Sequence, residues 1–448
     1  LNSSNQLKRQ IGLRTATALV VGEVIAIGIF LTPAEMAKSL ASPLWLLIVW
    51  LAMGAMALCG ALCYGELAAR YPEVGGGYVY LREAYGRPLA FLYGWMTLLV
   101  MDPGLTAALA VGMAGYAGYI LKISPSGLKA IAIATILLIA AVNILGVRIG
   151  AGVLRGLTLL KLGLLLFILI WGFGLQHGSW SNFTPFVAQH ARQTPLLAAL
   201  AGGMVAAFFS FGGWWDVTKL AGEVRDPARV LPRALIYGVL IVTLVYISTS
   251  AVFLYLVPLS SVTTGETFAA QAGEVLFGRA GGQIFSAIVI VAVLGSLSAV
   301  IMSAPRVYFA MARDGLFVPA VAVIHPRFGT PTRAIVLQSL LASAMVMLGN
   351  FNQIVSYFVF PVVIFIALTV AAVFSLRRHR RSPEPEYLTP GYPATPSIFL
   401  LLVTLLLFLL GAGNPKQALL GVGVVTLGIP VYYLFFRHSH RDQGKTRL

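Results

Sequence analysis

The chain is poor in charge, in cysteine and in long polar stretches. Charged residues make up 10% of its 448 positions, and only 15 residues are acidic. With 58% hydrophobic residues and a mean hydropathy of +0.87, a chain this size has more apolar surface than a soluble fold can hide. That leaves a polytopic membrane protein. Two cysteines, Cys59 and Cys63, stand one helical turn apart with no histidine beside them, which argues against metal or redox chemistry. His177, His190, His325 and His379 fall in loops or near membrane ends, without metal-ligand spacing or a nucleophile–base pairing. Neither an enzyme nor a cofactor is expected. A soluble domain and low-complexity tracts are missing as well.

What remains is a succession of apolar runs. Twelve spans are predicted, at 13–40, 43–68, 86–121, 127–147, 153–174, 197–223, 230–258, 282–312, 333–349, 353–375, 396–412 and 416–437. The first is too long for a signal peptide and is followed at once by another span. A tail at 1–12 precedes a ten-span core at 13–375, which divides into repeats at 13–174 and 197–375. A basic linker at 376–395, two peripheral spans at 396–437 and a tail at 438–448 follow. The segment Glu266–Phe277 carries apolar residues near helical spacing and predicts a short amphipathic external helix.

The net charge of +16 does not mark a nucleic-acid binder, because most of the 31 Lys and Arg fall on one side of the predicted topology. Arg377, Arg378, Arg380 and Arg381 cluster in the linker, and Arg437, Arg441, Lys445 and Arg447 in the tail. By the positive-inside rule both termini are cytoplasmic, in a cell (inner) membrane. The clusters are topology determinants.

Two apolar runs are interrupted. One reads Val-Gly-Glu-Val-Ile-Ala-Ile-Gly-Ile-Phe from Val21 to Phe30, the other Phe-Phe-Ser-Phe-Gly-Gly-Trp-Trp-Asp from Phe208 to Asp216. They open the two five-span blocks. Unwound backbone inside a membrane is tolerated where it lines a cavity, so paired breaks point to a midplane binding site for a small solute. Freed amides near Ile29 suit a carboxylate, and carbonyls of the half ending near Val24 suit an ammonium group. A zwitterionic amino acid fits such ends. Helix–helix packing is the competing explanation for each glycine-rich stretch. Among Phe208, Phe209, Phe211, Trp214 and Trp215, one ring could close over a substrate, and membrane packing is the competing explanation for each of them.

Charges inside the spans need a reason. Lys161 lies deep in span five, where it could bond the carbonyls of the first break or carry a proton. Glu23 sits just before that break and could pair with Lys161, bind a substrate ammonium or carry a proton. Asp102 reads as a polar kink in span three. Asp216 and Lys219 read as structural, with Lys219 reaching the interface. Glu66, Glu223 and Arg306 lie near the cytoplasmic ends and could form inward-side gating pairs.

From Gln10 to about Phe374 the chain resembles the amino acid–polyamine–organocation superfamily, and within it the L-type amino acid transporter-like exchangers. The resemblance rests on Gly22–Pro33, on Tyr64–Leu67 with Gly75–Ala84, on Phe209–Trp214 with Glu223 and Asp226-Pro227, and on Ser303–Pro331. It implies an all-α, LeuT-type fold with a 5+5 inverted repeat, broken helices 1 and 6, and alternating access. It implies a substrate carboxylate near the amides of Ile27 and Gly28, a substrate amine near the carbonyls of Val24, Phe209, Ser210 and Gly212, and Ala26 among the substrate-binding residues. Phe209 becomes the gate, and Lys161 takes the place of a sodium ion. The chain departs from the pattern where Ala26-Ile27-Gly28 replaces Gly-Ser-Gly and where Glu23 replaces a neutral residue. The latter is similar to an acidic residue of some polyamine transporters in the superfamily.

The expected function is sodium-independent transport of amino acids, by exchange or with protons, in direct contact with the lipid bilayer. The alternatives are a polyamine or organic-cation transporter using Glu23, and a transporter-like receptor or partner-dependent subunit. Short external loops without a partner-facing cysteine argue against a partner subunit.

Overall fold

The structure, a computed structural model, describes residues 7–174, 178–187, 196–262, 268–348, 351–379, 386–413 and 415–437. His177, His190, Arg380, Arg381, Arg441, Lys445 and Arg447 lie outside the described residues, as does the side chain of His379. Among the described residues the fold is all-helical, and its one extended pairing is an isolated parallel bridge between Ile11 and Val224.

The first apolar run forms two helices. α1 (Leu13–Val24) and α2 (Gly28–Leu40) meet at 45° across the unwound residues 25–27. α3 (Pro43–Arg70) runs unbroken, its Pro43 placed in the first turn where an amide would have no partner in any case. α4 (Gly77–Tyr85) follows a glycine turn in which Gly76 has φ 54° and lies against the backbone of Thr218 and Lys219, so a side chain there would meet the Lys219 amide nitrogen at 2.9 Å. α5 (Arg87–Met96) and α6 (Asp102–Leu121) form one bent span joined by a π-helical turn at Thr97–Met101. Pro103 has no amide to offer the preceding turn, and the wider turn absorbs the defect.

α7 (Pro125–Ile144) and α8 (Val147–Gly174) come next, then α9 (Leu196–Phe211) and α10 (Pro227–Leu256). α11 (Phe268–Phe277) coincides with the amphipathic helix read from the sequence and buries Ala269, Ala272 and Leu276. α12 (Gly281–Ser303) turns at Ala304 into α13 (Pro305–Arg313). α14 (Thr332–Leu348), α15 (Phe351–His379), α16 (Ala394–Gly413), α17 (Pro415–Thr426) and α18 (Gly428–Val431) complete the chain.

Nine of the described helices are long and apolar enough to cross a membrane, ten when the bent α1–α2 pair counts as one span. This is fewer than the twelve predicted spans. α9 has 16 residues and α14 has 17, each short of the ~20 that a helix needs to cross the hydrocarbon. The sixth run also differs in kind from expectation. Its second part is a 3₁₀ turn at Asp216–Glu223 rather than a second α-helical half.

α1 sits at the centre, packed among α8, α10 and α12, and α2 lies against α9. α8 shows why one charge is tolerated. Leu159 and Leu160 face outward at 70% and 49% exposure, whereas Lys161 between the same turns and the core is fully buried. The apolar face meets lipid and the ammonium meets protein.

Candidate functional site

The two breaks touch. Gly28, the first residue of α2, lies so close to Ser210 that a Cβ there would stand 2.9 Å from the Ser210 Cα. Thr32 donates to the Gly28 carbonyl at 2.7 Å, and its hydroxyl lies 2.6 Å from that of Ser210. Within the first break, the Ile25 amide returns to Val21 and the Ala26 amide to Val24. The Ile27 amide has no backbone acceptor among the described residues, while its carbonyl accepts from Phe30 and Leu31. A free donor at the start of a helix is a seat for an anion.

The second break is made by glycine. The Gly212 amide returns to the Phe209 carbonyl at 3.3 Å, and Gly213 adopts φ 102°, a conformation open to glycine at little cost. The Gly213 position also has no room for a side chain, since a Cβ would approach Glu23 Cγ to 2.8 Å.

Tyr246, on α10, links the two breaks. Its fully buried hydroxyl lies 2.8 Å from the Val24 carbonyl and 2.7 Å from the Ser210 carbonyl. The hydroxyl has one proton, so the two carbonyls share it. Both carbonyls were expected to face a substrate amine. Nothing in the sequence singles out Tyr246, one aromatic among many in an apolar run.

Lys161 reaches the first break from α8. Its Nζ donates to the carbonyls of Gly22 at 2.9 Å and Ile25 at 2.6 Å, and to Ser296 Oγ at 3.2 Å. Ser296, on α12, donates in turn to the Gly22 carbonyl at 2.7 Å. Carbonyls that the unwinding frees from α1 thus acquire donors, one of them charged. The alternative pairing of Lys161 with Glu23 is not present.

Glu23 has a different neighbour. Neither of its carboxylate oxygens, nor Asp216 Oδ1, accepts a hydrogen bond from a donor, and the side chain faces Asp216. Asp216 Oδ2 and Asp102 Oδ1 accept from Lys219 Nζ at 2.8 and 3.0 Å, and Asp102 Oδ2 accepts from Tyr308. Lys219 therefore does not reach the interface, as the sequence suggested. The 3₁₀ turn points it inward, where it is 1% exposed between two buried carboxylates. Pairing these charges offsets the cost of removing them from water.

Phe208, Phe209, Gly212, Gly213 and Trp215 line a small cavity with Met101, Leu105, Val359 and Val362. Phe211 and Trp214 instead pack, Phe211 between Trp50 and Tyr246, and Trp214 edge-on to Tyr64. The aromatic run thus splits into cavity-facing and core-facing rings.

Near the start of α1 the chain is tied to the end of the 3₁₀ turn. The amides of Gln10 and Ile11 donate to the Glu223 carbonyl, and the Arg225 amide donates to that of Ile11. Arg306 grips the Glu223 carboxylate through two nitrogens at 2.8 and 3.2 Å. Glu66 joins neither residue. It is held by Arg377 at 2.8 and 2.6 Å and by the Thr389 amide, which gives that linker arginine a structural partner besides any effect on topology. In the loop region, Arg82 contacts Asp314 at 2.6 Å and Glu73 at 2.9 Å. Burial opposes its charge, but these carboxylates outweigh it and hold the guanidinium above its ordinary value. Among the described residues no three His, Cys, Asp or Glu side chains form a group suited to a metal ion.

Residues 11–436 match the family model described as amino acid permease. The chain is 32% identical over 438 residues to the serine/threonine exchanger SteT of Bacillus subtilis (strain 168), covering 96% of this chain and 97% of that protein. It is 29% identical over 446 residues to the rat large neutral amino acids transporter small subunit 2, covering 98% and 82%. It is also 29% identical over 391 residues to the rabbit b(0,+)-type amino acid transporter 1, covering 85% and 78%. These relatives are transporters rather than enzymes. The chain belongs to the amino acid permease family, within the amino acid–polyamine–organocation superfamily whose motifs its sequence carries.

Proposed function

We propose that the protein moves neutral amino acids across a membrane by alternating access, in a twelve-span LeuT-type arrangement, without sodium. The observation that carries this reading is the free Ile27 amide at the break between α1 and α2, beside Gly28, which lies against Ser210 of the second break. The amide seats the carboxylate. Carbonyls of Val24, Phe209, Ser210 and Gly212 surround the amine end. The Tyr246 hydroxyl then holds two of those carbonyls when no amine is bound, and yields one of them on binding. Ala26 and Gly28 bound the seat, and Phe209 closes over it.

Sodium independence rests on Lys161. Its ammonium bonds two carbonyls of the broken helix, where a sodium ion would otherwise supply the positive charge. Small side chains are favoured because Gly28 and Ser210 are in close approach, and because the relative covering almost its whole length with this chain is named as a serine/threonine exchanger. Both termini are placed in the cytoplasm. The relatives named as small subunits raise the case of a partner chain, but the serine/threonine exchanger's name carries no such term.

The test is counterflow in proteoliposomes. Vesicles loaded with unlabelled serine, in sodium-free buffer, are offered labelled serine, threonine or alanine with excess external putrescine as competitor. Saturable uptake that putrescine leaves intact is expected. No uptake of any of the three would sink the reading. A second reading, an organic-cation transporter, is favoured by one observation, the donor-free carboxylate of Glu23. Suppression by putrescine would select it.

A further inference from the structure

Glu23 and Asp216 carry the carboxylate oxygens of the buried charge cluster that are left without donors. Glu23 is 4% exposed and Asp216 is fully buried. Three oxygens, Glu23 Oε1 and Oε2 and Asp216 Oδ1, have no hydrogen-bond partner. Lys219 is already committed to Asp216 Oδ2 and Asp102 Oδ1. The charges do not balance. Three carboxylates, Glu23, Asp216 and Asp102, surround one ammonium, and the other buried ammonium, Lys161, is turned to backbone carbonyls.

Two carboxylates cannot face each other in a dry interior without something positive between them. Space decides what that is. Gly213 closes directly on Glu23 Cγ, and Glu23 is absent from the lining of the adjacent cavity. A hydrated ion or an alkylammonium needs room, and a proton does not.

We propose that Glu23 and Asp216 share one dissociable proton, and that this proton latches α1 to the 3₁₀ turn that follows the second break. Protonation forms one O–H bond and gives one carboxyl a donor for the other. The excess of negative charge around Lys219 then falls from two to one. Release leaves two anions in contact across the inner parts of both broken runs and drives them apart. Proton movement is thereby tied to the opening of the side on which the chain begins. This deepens the transport reading and rests on it.

Titratable groups face the pair from several elements. Lys219 lies on the 3₁₀ turn with Asp216 itself, Asp102 on α6 and Tyr64 on α3, while Lys161 on α8 and Tyr246 on α10 are turned to backbone carbonyls of the breaks. Tyr93 and Tyr308 flank Asp102 from α5 and α13. α12 contributes Ser296 beside Lys161.

The test reads the proton directly. Infrared spectra of the purified full-length protein, without substrate and in sodium-free buffer, are recorded across a pH series. A protonated carboxyl C=O band is expected at neutral pH. It should disappear in both Glu23→Gln and Asp216→Asn, and persist in Glu35→Gln, whose side chain is exposed. Absence of the band in the wild type overturns the proposal even if neither variant folds. So does its persistence in both variants, or its removal by added sodium chloride or putrescine, which would place a cation in the site instead.

A second measurement follows the proton during transport, with a pH dye trapped in the counterflow vesicles. An inward proton gradient should speed net uptake several-fold in the wild type and in Glu35→Gln. The same gradient should change net uptake less than twofold in Glu23→Gln, whatever rate remains. An equal response in wild type and Glu23→Gln refutes the latch. Failure of counterflow without a gradient would instead refute the transport reading, with the infrared result still standing.

Discussion

Replacing Lys219 with Met removes the one cation that two fully buried carboxylates share. Both of its ion pairs, 3.0 Å to Asp102 and 2.8 Å to Asp216, lie in protein that excludes water. Breaking a buried pair by deleting one partner costs ~3–5 kcal/mol, because the remaining charge has nothing to offset its desolvation. Here two charges are orphaned, so the lower end of that range is a floor at neutral pH. Neutralising them should return most of the loss. Lys219→Met combined with Asp102→Asn and Asp216→Asn restores charge balance, and a cycle of single and combined variants isolates the coupling. The assay is thermal unfolding in detergent at neutral pH. If Lys219→Met unfolds at the wild-type temperature, or if the triple variant recovers none of the deficit, the cluster is not the paired core described here.

Other perturbations address the breaks. Tyr246→Phe removes a hydroxyl that two carbonyls share, and should cost ~1–3 kcal/mol in thermal stability while weakening substrate affinity; an unchanged unfolding temperature would contradict the bridge. Gly28→Val places a branched side chain against the backbone of Ser210, a collision that should cost ~1–3 kcal/mol and cut counterflow more than tenfold. Lys161→Met leaves the Ile25 carbonyl dependent on Ser296, 3.2 Å away, and should abolish counterflow in sodium-free buffer; wild-type rates would dismiss the tether.

The all-helical, membrane-spanning character was legible because hydropathy responds to lipid, and lipid is indifferent to side-chain detail. The break at Ile25–Ile27 could be read from Glu23 and Gly28 interrupting an apolar run. Lys161 could be read as a buried tether because a cation in the middle of Leu159–Leu164 has few other uses. Lys219 was misread because a lysine four residues from Glu223 resembles an interfacial residue. Only the 3₁₀ geometry, with a tighter turn than an α-helix, rotates it toward Asp102. Tyr246 and Ser296 were invisible for a related reason. Each acts through one hydroxyl whose partner lies far along the chain, and no local pattern records such a distance. The aromatic run was visible as such, but which of its rings line the cavity and which pack was not, because that depends on the turn at Gly212-Gly213.

The backbone pairing of Gln10 and Ile11 with Glu223 and Arg225 has a mechanical consequence. It joins the residues before α1 to the end of the 3₁₀ turn by three backbone hydrogen bonds, so moving the two apart has to break those bonds as well as the contact between Glu23 and Asp216. The tie therefore adds a second lock to the one at the breaks. A reducible cross-link between positions 11 and 224 should stop turnover, and its cleavage should restore it.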